Sequence, residues 1–177
     1  VKVEETILDG ALIITPDVFG DERGFFLETF NEKRYRSVLG ESISFVQDNY
    51  SRSQKNVLRG MHFQTKNPQG KLVRVVQGKV FDVAVDIRKG SNTFGKWFGI
   101  ELSAENKKQF WIPPGMAHGF LVLSDVADFE YKCTDFYNPE YEKCLIWNDS
   151  VINIDWPLTS LPLLSDKDGL GLEFKNL

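Results

Sequence analysis

Between residues 71 and 90 the chain reads KLVRVVQGKVFDVAVDIRKG, two alternating apolar runs parted by Gly78. In the first run Val73 and Val75 share one parity, and Leu72, Arg74 and Val76 share the other. In the second, Phe81, Val83, Val85 and Ile87 form an apolar face opposite Val80, Asp82, Ala84 and Asp86. A period of two sends successive side chains to opposite sides of a strand, so the stretch predicts two strands broken at a glycine. Two carboxylates on a half-apolar second face are an odd composition for a plain core strand. Comparable runs recur as GALIITPDVF, FFLETF, SISFVQDNYS, KWFGIELS, QFWIPP, HGFLVLS, ADFEYKCTDFY and KCLIWND, separated by Gly, Pro, Asn and Ser. Many short strands at close intervals predict a sandwich or barrel. One short helix is expected in NEKRYRSVLG, capped by Asn31 and ended by Gly40. No repeat, low-complexity tract or linker divides residues 1–177, so a single all-β domain is predicted.

Composition narrows the class. With 42% apolar and 26% charged residues, 177 residues suffice for one packed domain and fall short of two. The net charge of -4 is spread without a basic block, which argues against nucleic acid as a partner. No apolar run approaches spanning length, and the polar opening VKVEETILDG reads as neither signal peptide nor amphipathic anchor. The expectation is a cytoplasmic protein with no membrane partner. Cys133 and Cys144 are expected to be reduced and structural.

The candidate chemistry gathers in LRGMHFQTKNPQGKLVRVV, residues 58–76. A zinc or iron site usually takes three or more His, Cys, Asp or Glu ligands, and the chain has only His62 and His118. Gln64 stands on the face of His62 where a second histidine would serve a metal, and no carboxylate follows closely. The reading is therefore no metal, with a mixed His-His-Asp site as the alternative. Histidine is the side chain best suited to taking protons near neutral pH. On a regular strand His62 points to one side and Arg59, Met61 and Phe63 to the other; a bend at Gly60 would bring Arg59 round. In ADFEYKCTDFY, Phe129, Tyr131, Cys133, Asp135 and Tyr137 share a face, an arrangement more usual in a core than in a site. Tyr131 nonetheless has a hydroxyl able to donate a proton. The rigid WIPPGMAHGF turn fixes His118 at the start of a strand without assigning it a role.

Taken in order, DVFGDERGFFLETF, FVQDNYSRSQKNVLRGMHFQ, QGKLVRVVQGKVFDVAVDIR, WIPPGMAHGF, YKCTDFY and LSDKDG resemble the dTDP-4-dehydrorhamnose 3,5-epimerases over nearly the whole chain. The resemblance implies a cupin-type jelly-roll barrel with short peripheral helices, no cofactor or metal, and a homodimer with an exchanged N-terminal strand. Its substrate would be a nucleotide-diphosphate sugar, likened to dTDP-4-dehydro-6-deoxy-D-glucose, epimerised at C3 and C5. By the same resemblance His62 is the base, oriented by Asp168, Tyr131 the acid on the opposite face of the sugar, and Lys71 the group that steadies the enolate. Asp82 and His118 line the pocket. Arg23, Arg59, Gln47 and Asn49 resemble diphosphate binders, and Phe26, Glu28 and Tyr137 resemble base contacts, the first two from the partner subunit. Asp86 receives no role, and Glu142 and Lys167 either touch the nucleotide or sit in solvent. Three alternatives remain at this point: an epimerase of C3 or C5 alone, a non-catalytic sugar-nucleotide binder, and a metal-dependent cupin oxygenase.

Overall fold

The computed structural model describes residues 1–177. The strands are β1 (Lys2–Glu5), β2 (Leu12–Thr15), β3 (Val18–Asp21), β4 (Gly24–Leu27), β5 (Gln47–Gln54), β6 (Leu58–Gln64) and β7 (Lys71–Gln77). They continue with β8 (Lys79–Asp86), β9 (Trp97–Ser103), β10 (Gln109–Ile112), β11 (Met116–Val122), β12 (Val126–Cys133) and β13 (Glu142–Cys144). Helix α1 (Glu32–Leu39) follows β4, and the four-residue α2 (Asp166–Gly169) lies near the end of the chain.

A six-stranded sheet ordered β1-β2-β10-β7-β12-β5 packs on a five-stranded sheet ordered β13-β6-β11-β8-β9, and every strand pairing within each sheet is antiparallel. Strands β3 and β4 form a separate hairpin. This is the all-β jelly roll of the cupin class.

The two faces of β8 explain its odd composition. Val80 and Ala84 join Val73, Val75, Phe110, Ile112, Phe120 and Phe129 in the core between the sheets. Val83 and Val85 face outwards yet are also buried, beneath Leu145, Ile152 and Trp156 of the C-terminal segment. Both faces of the strand are therefore covered, and the inward one is left to carry Asp82. Gly78 makes the turn between β7 and β8 at φ +73°, where a Cβ would collide with the Val126 carbonyl oxygen.

Helix α1 matches the expectation from sequence. The Asn31 side chain accepts from the Arg34 N–H at 3.2 Å, and Gly40 follows at φ +120°. The helix packs Tyr35 against Ile14, Leu72 and Trp111 on the outer face of the larger sheet. Two strand expectations shift. GALIITPDVF is cut at Pro16 into β2 and β3, and β12 ends at Cys133, so Asp135 and Tyr137 do not continue its face.

Candidate active site

A cleft of about 360 Å³ opens between the sheets. Arg59 and His62 of β6 and His118 of β11 line it from the smaller sheet. Asn49 of β5, Lys71 of β7 and Tyr131 of β12 line it from the larger one. His62 and Tyr131 thus approach the same space from opposite walls.

His62 and Arg59 share that space because the strand is irregular. His118 pairs with His62, but Phe120 pairs with Arg59, so the register slips by one residue at Gly60. Gly60 has φ +111°, and a Cβ there would lie 2.5 Å from the His118 carbonyl oxygen. The slip reverses the parity of Arg59, which corrects the regular-strand expectation by the bend that glycine permits.

The α2 turn brings Asp168 under His62. The Asp168 N–H donates to the Ser165 hydroxyl at 3.1 Å, while its carboxylate accepts from the Gly60 N–H at 3.1 Å and contacts His62 Nε2 at 2.6 Å. Burial pushes this carboxyl upwards, but the bonds from His62, Gly60 and Ser165 outweigh it and hold the group below the usual carboxylate range. A charged Asp168 fixes the proton of His62 on Nε2 and leaves Nδ1 with a free lone pair. Cys144, cross-strand partner of His62, has its sulfur 3.8 Å from the same carboxylate oxygen. The ligating atoms of His62, Cys144 and Asp168 lie within 4.8 Å of one another, a grouping that sequence spacing concealed. Burial and the neighbouring Asp168 push the Cys144 thiol up to about 12, so it stays protonated. Through these contacts the trio forms a hydrogen-bonded support for the imidazole.

Lys71 is buried and makes none of the ion pairs of the protein; its ammonium stands 5.7 Å from the centre of the Tyr131 ring. Burial lowers its pKa. Burial likewise raises the Tyr131 phenol to about 12, so it keeps its proton at neutral pH. Below them Asp82 accepts from Nε2 of His118 at 2.9 Å, and the His118 ring stacks on Phe129. Burial disfavours the imidazolium, lowering the His118 pKa, so this ring is a neutral donor to Asp82.

At the mouth, Gln47 accepts from the Tyr137 N–H at 2.9 Å and donates to Asn49 at 3.1 Å. The Tyr137 hydroxyl donates to Glu142 at 2.7 Å, and Lys167 also pairs with Glu142. Glu142 is a wall of the cleft that spacing alone did not reveal, since β13 reaches the site only by pairing with β6. Arg23, Phe26 and Glu28 are not brought to this cleft. Arg23 is held by Asp21 on the β3–β4 hairpin, Phe26 is 70% exposed, and Glu28 pairs with Arg34 at 2.8 Å. Asp86 is structural: its buried carboxylate accepts from Arg88, Ser91 and Thr93.

A cupin barrel whose cleft sets a carboxylate-backed histidine opposite a tyrosine has groups suited to proton transfer, and the class it falls in is that of the isomerases. More narrowly, the chain belongs to the dTDP-4-dehydrorhamnose 3,5-epimerase family, whose model matches residues 5–176. It is 55% identical over 173 residues to the dTDP-4-dehydrorhamnose 3,5-epimerase of Pseudomonas aeruginosa, covering 98% of this chain and 96% of that one. Against the enzyme of the same description from Escherichia coli the identity is 58% over 168 residues, covering 94% and 91%. The crystal structure of dTDP-6-deoxy-D-glucose-3,5-epimerase from Legionella pneumophila, in complex with dTDP-4-keto-L-rhamnose, superposes with a TM-score of 0.96. That protein is 56% identical, with 98% of this chain and 93% of that chain covered.

Proposed function

We propose that the protein converts dTDP-4-dehydro-6-deoxy-D-glucose to dTDP-4-dehydro-L-rhamnose by inverting C3 and C5. The observation that carries this reading is the placement of His62 and Tyr131 on opposite walls of one cleft, with the Lys71 ammonium beside them. The sugar bound by the Legionella pneumophila relative supports the choice of substrate.

In this reading Nδ1 of His62 takes the proton from a carbon next to the C4 ketone. The electron pair moves to the ketone oxygen, where Lys71 stabilises the enolate; one oriented donor in such a site is worth about 3–4 kcal/mol. Tyr131 then delivers its proton to the other face of the same carbon, and the ketone re-forms. The ketone acidifies both neighbouring carbons, so the step calls for no redox partner. Arg59, Gln47 and Asn49 receive the diphosphate, with a guanidinium fork suited to paired phosphate oxygens. Asp82 and His118 form the floor of the pocket, and Tyr137 stacks on the base.

The protein acts as a homodimer in which the element exchanged is the β3–β4 hairpin, since β1 pairs with β2 of its own chain, and the hairpin of one subunit supplies Arg23, Phe26 and Glu28 to the cleft of the other. The exposure of Phe19, Phe25 and Phe26, at 65%, 61% and 70%, supports this arrangement. The reaction is placed in the cytoplasm, in keeping with two buried free cysteines; no helix is long and apolar enough to cross a membrane.

Incubation with dTDP-4-dehydro-6-deoxy-D-glucose in deuterated water, read by NMR, tests the reading. Deuterium is expected at both C3 and C5. Label at one carbon selects a mono-epimerase, and label at neither overturns the assignment. Exchange at the original rate in His62→Ala removes His62 from the role of base.

A further inference from the structure

Two inversions on one sugar raise a problem of proton accounting. Each inversion moves a proton from carbon to His62 and another from Tyr131 to carbon. The pair is left as imidazolium and tyrosinate, the reverse of what the second inversion needs. One proton must travel from His62 to Tyr131 before the pair can act again.

The cleft has a side chamber of about 60 Å³ that touches both groups. His62, Lys71, Tyr131, Tyr137 and Glu142 line both spaces, so the chamber opens directly on the catalytic pair. Roughly 10–15 Å³ of such space holds one water, so a short chain of waters fits. The two glutamines of the remaining wall are held by backbone bonds: the Gln64 amide donates to the Asn67 carbonyl and accepts from the Asn138 N–H, each at 2.8 Å, and Gln69 donates to the Asp135 carbonyl at 2.9 Å. Glu142 is opposite Gln64 and two residues from the Cys144–His62 pair, which puts its side chain on the same face as His62. The Tyr137 hydroxyl and the Lys167 ammonium both bind its Oε2, leaving Oε1 for water. These bonds, working against burial, keep the carboxyl below its ordinary range, so it is a fixed anion beside the imidazole.

We infer that Glu142 is a positioning residue that orders a water path through the side chamber, along which the proton returns from His62 to Tyr131 between inversions. His62 Nδ1–H gives its proton to the first water, the last water gives one to the tyrosinate, and no other co-reactant is consumed. The Tyr137 hydroxyl anchors the carboxylate from the outside. This inference rests on the two-carbon reading above.

The test follows both exchanges during a single turnover, with enzyme in excess over dTDP-4-dehydro-6-deoxy-D-glucose in deuterated water, by rapid quench and NMR. The readout is the rate of the second exchange divided by that of the first, which comes only from folded, substrate-bound enzyme. In Glu142→Gln this ratio is expected to fall at least about tenfold. In Glu142→Ala, added formate, a small carboxylate able to occupy the vacated space, is expected to restore it. An unchanged ratio, or a loss shared equally by both exchanges as a purely substrate-binding role requires, overturns the relay alone. A wild-type protein that labels one carbon only overturns the two-carbon reading, and the relay with it.

Discussion

The Asp168 carboxylate lies 2.6 Å from Nε2 of His62, although 106 residues of chain separate them. The contact sets which imidazole nitrogen carries the proton and therefore which one is free to serve as the proposed base. Replacing Asp168 by Asn keeps the shape but can present an N–H to Nε2, favouring the wrong tautomer. The kcat of Asp168→Asn is expected to fall by about a hundredfold to ten-thousandfold with a small change in KM. Steady-state rates across pH check this, and an equal rise in KM would reassign Asp168 to substrate binding.

Lys71 sets folding against the role proposed for it. Its ammonium is buried without an ion-pair partner, and burial lowers its pKa. The unfolded chain holds this proton more tightly than the folded one, so stability rises as pH climbs from the folded pKa towards the ordinary lysine value. Below that window the folded state bears the whole cost of the buried charge. Lys71→Met is accordingly expected to raise Tm by several degrees at neutral pH while lowering kcat by about a hundredfold to a thousandfold. Calorimetry and turnover on the same sample decide it; a lower Tm would show that the ammonium is stabilised in the free protein.

Asp86 supplies the matching prediction for acid. Burial opposes its charge, but bonds from Arg88, Ser91 and Thr93 prevail and depress its pKa far below the ordinary aspartate value. Stability from a depressed carboxylate is complete above the unfolded value and is lost as pH falls through the folded one. Asp86→Asn is therefore expected to cost about 2–3 kcal/mol at pH 7. The gap from wild type should narrow only below about pH 4. Urea melts at several pH values measure it, and a gap independent of pH down to strong acid would separate the loop from the charge.

Much of the barrel was legible because alternation reports burial directly. Gly78, Asn31 and Gly40 mark breaks that local backbone chemistry alone dictates. The site was legible only in part. Arg59 reaches the cleft through a register slip at Gly60, and a period of two cannot register a residue that changes sides. Glu142 reaches it by pairing with β6, and the residues joined that way lie 78 positions apart at Gln64. Asp168 depends on a four-residue turn with no periodic signal, so the family resemblance, and not its spacing, pointed to it. Long-range contact is the information a local pattern lacks.

Tyr131 offers the sharpest separation of the two halves of the proposed reaction. It stands on the wall opposite His62, and burial keeps its phenol protonated, with a pKa pushed up to about 12. Tyr131→Phe removes the donor while leaving the ring, the Lys71 ammonium and the His62–Asp168 pair in place. The base can still take a proton, exchange it with water and return solvent deuterium to the face it came from. The variant is therefore expected to incorporate deuterium without inversion, with net epimerisation reduced by about a hundredfold or more. NMR coupling constants distinguish labelled substrate of unchanged configuration from labelled product. If inversion continues at the wild-type rate, the second proton comes from another group on that wall; if exchange and inversion vanish together, Tyr131 is required for deprotonation as well, and the separation of roles between the two walls fails.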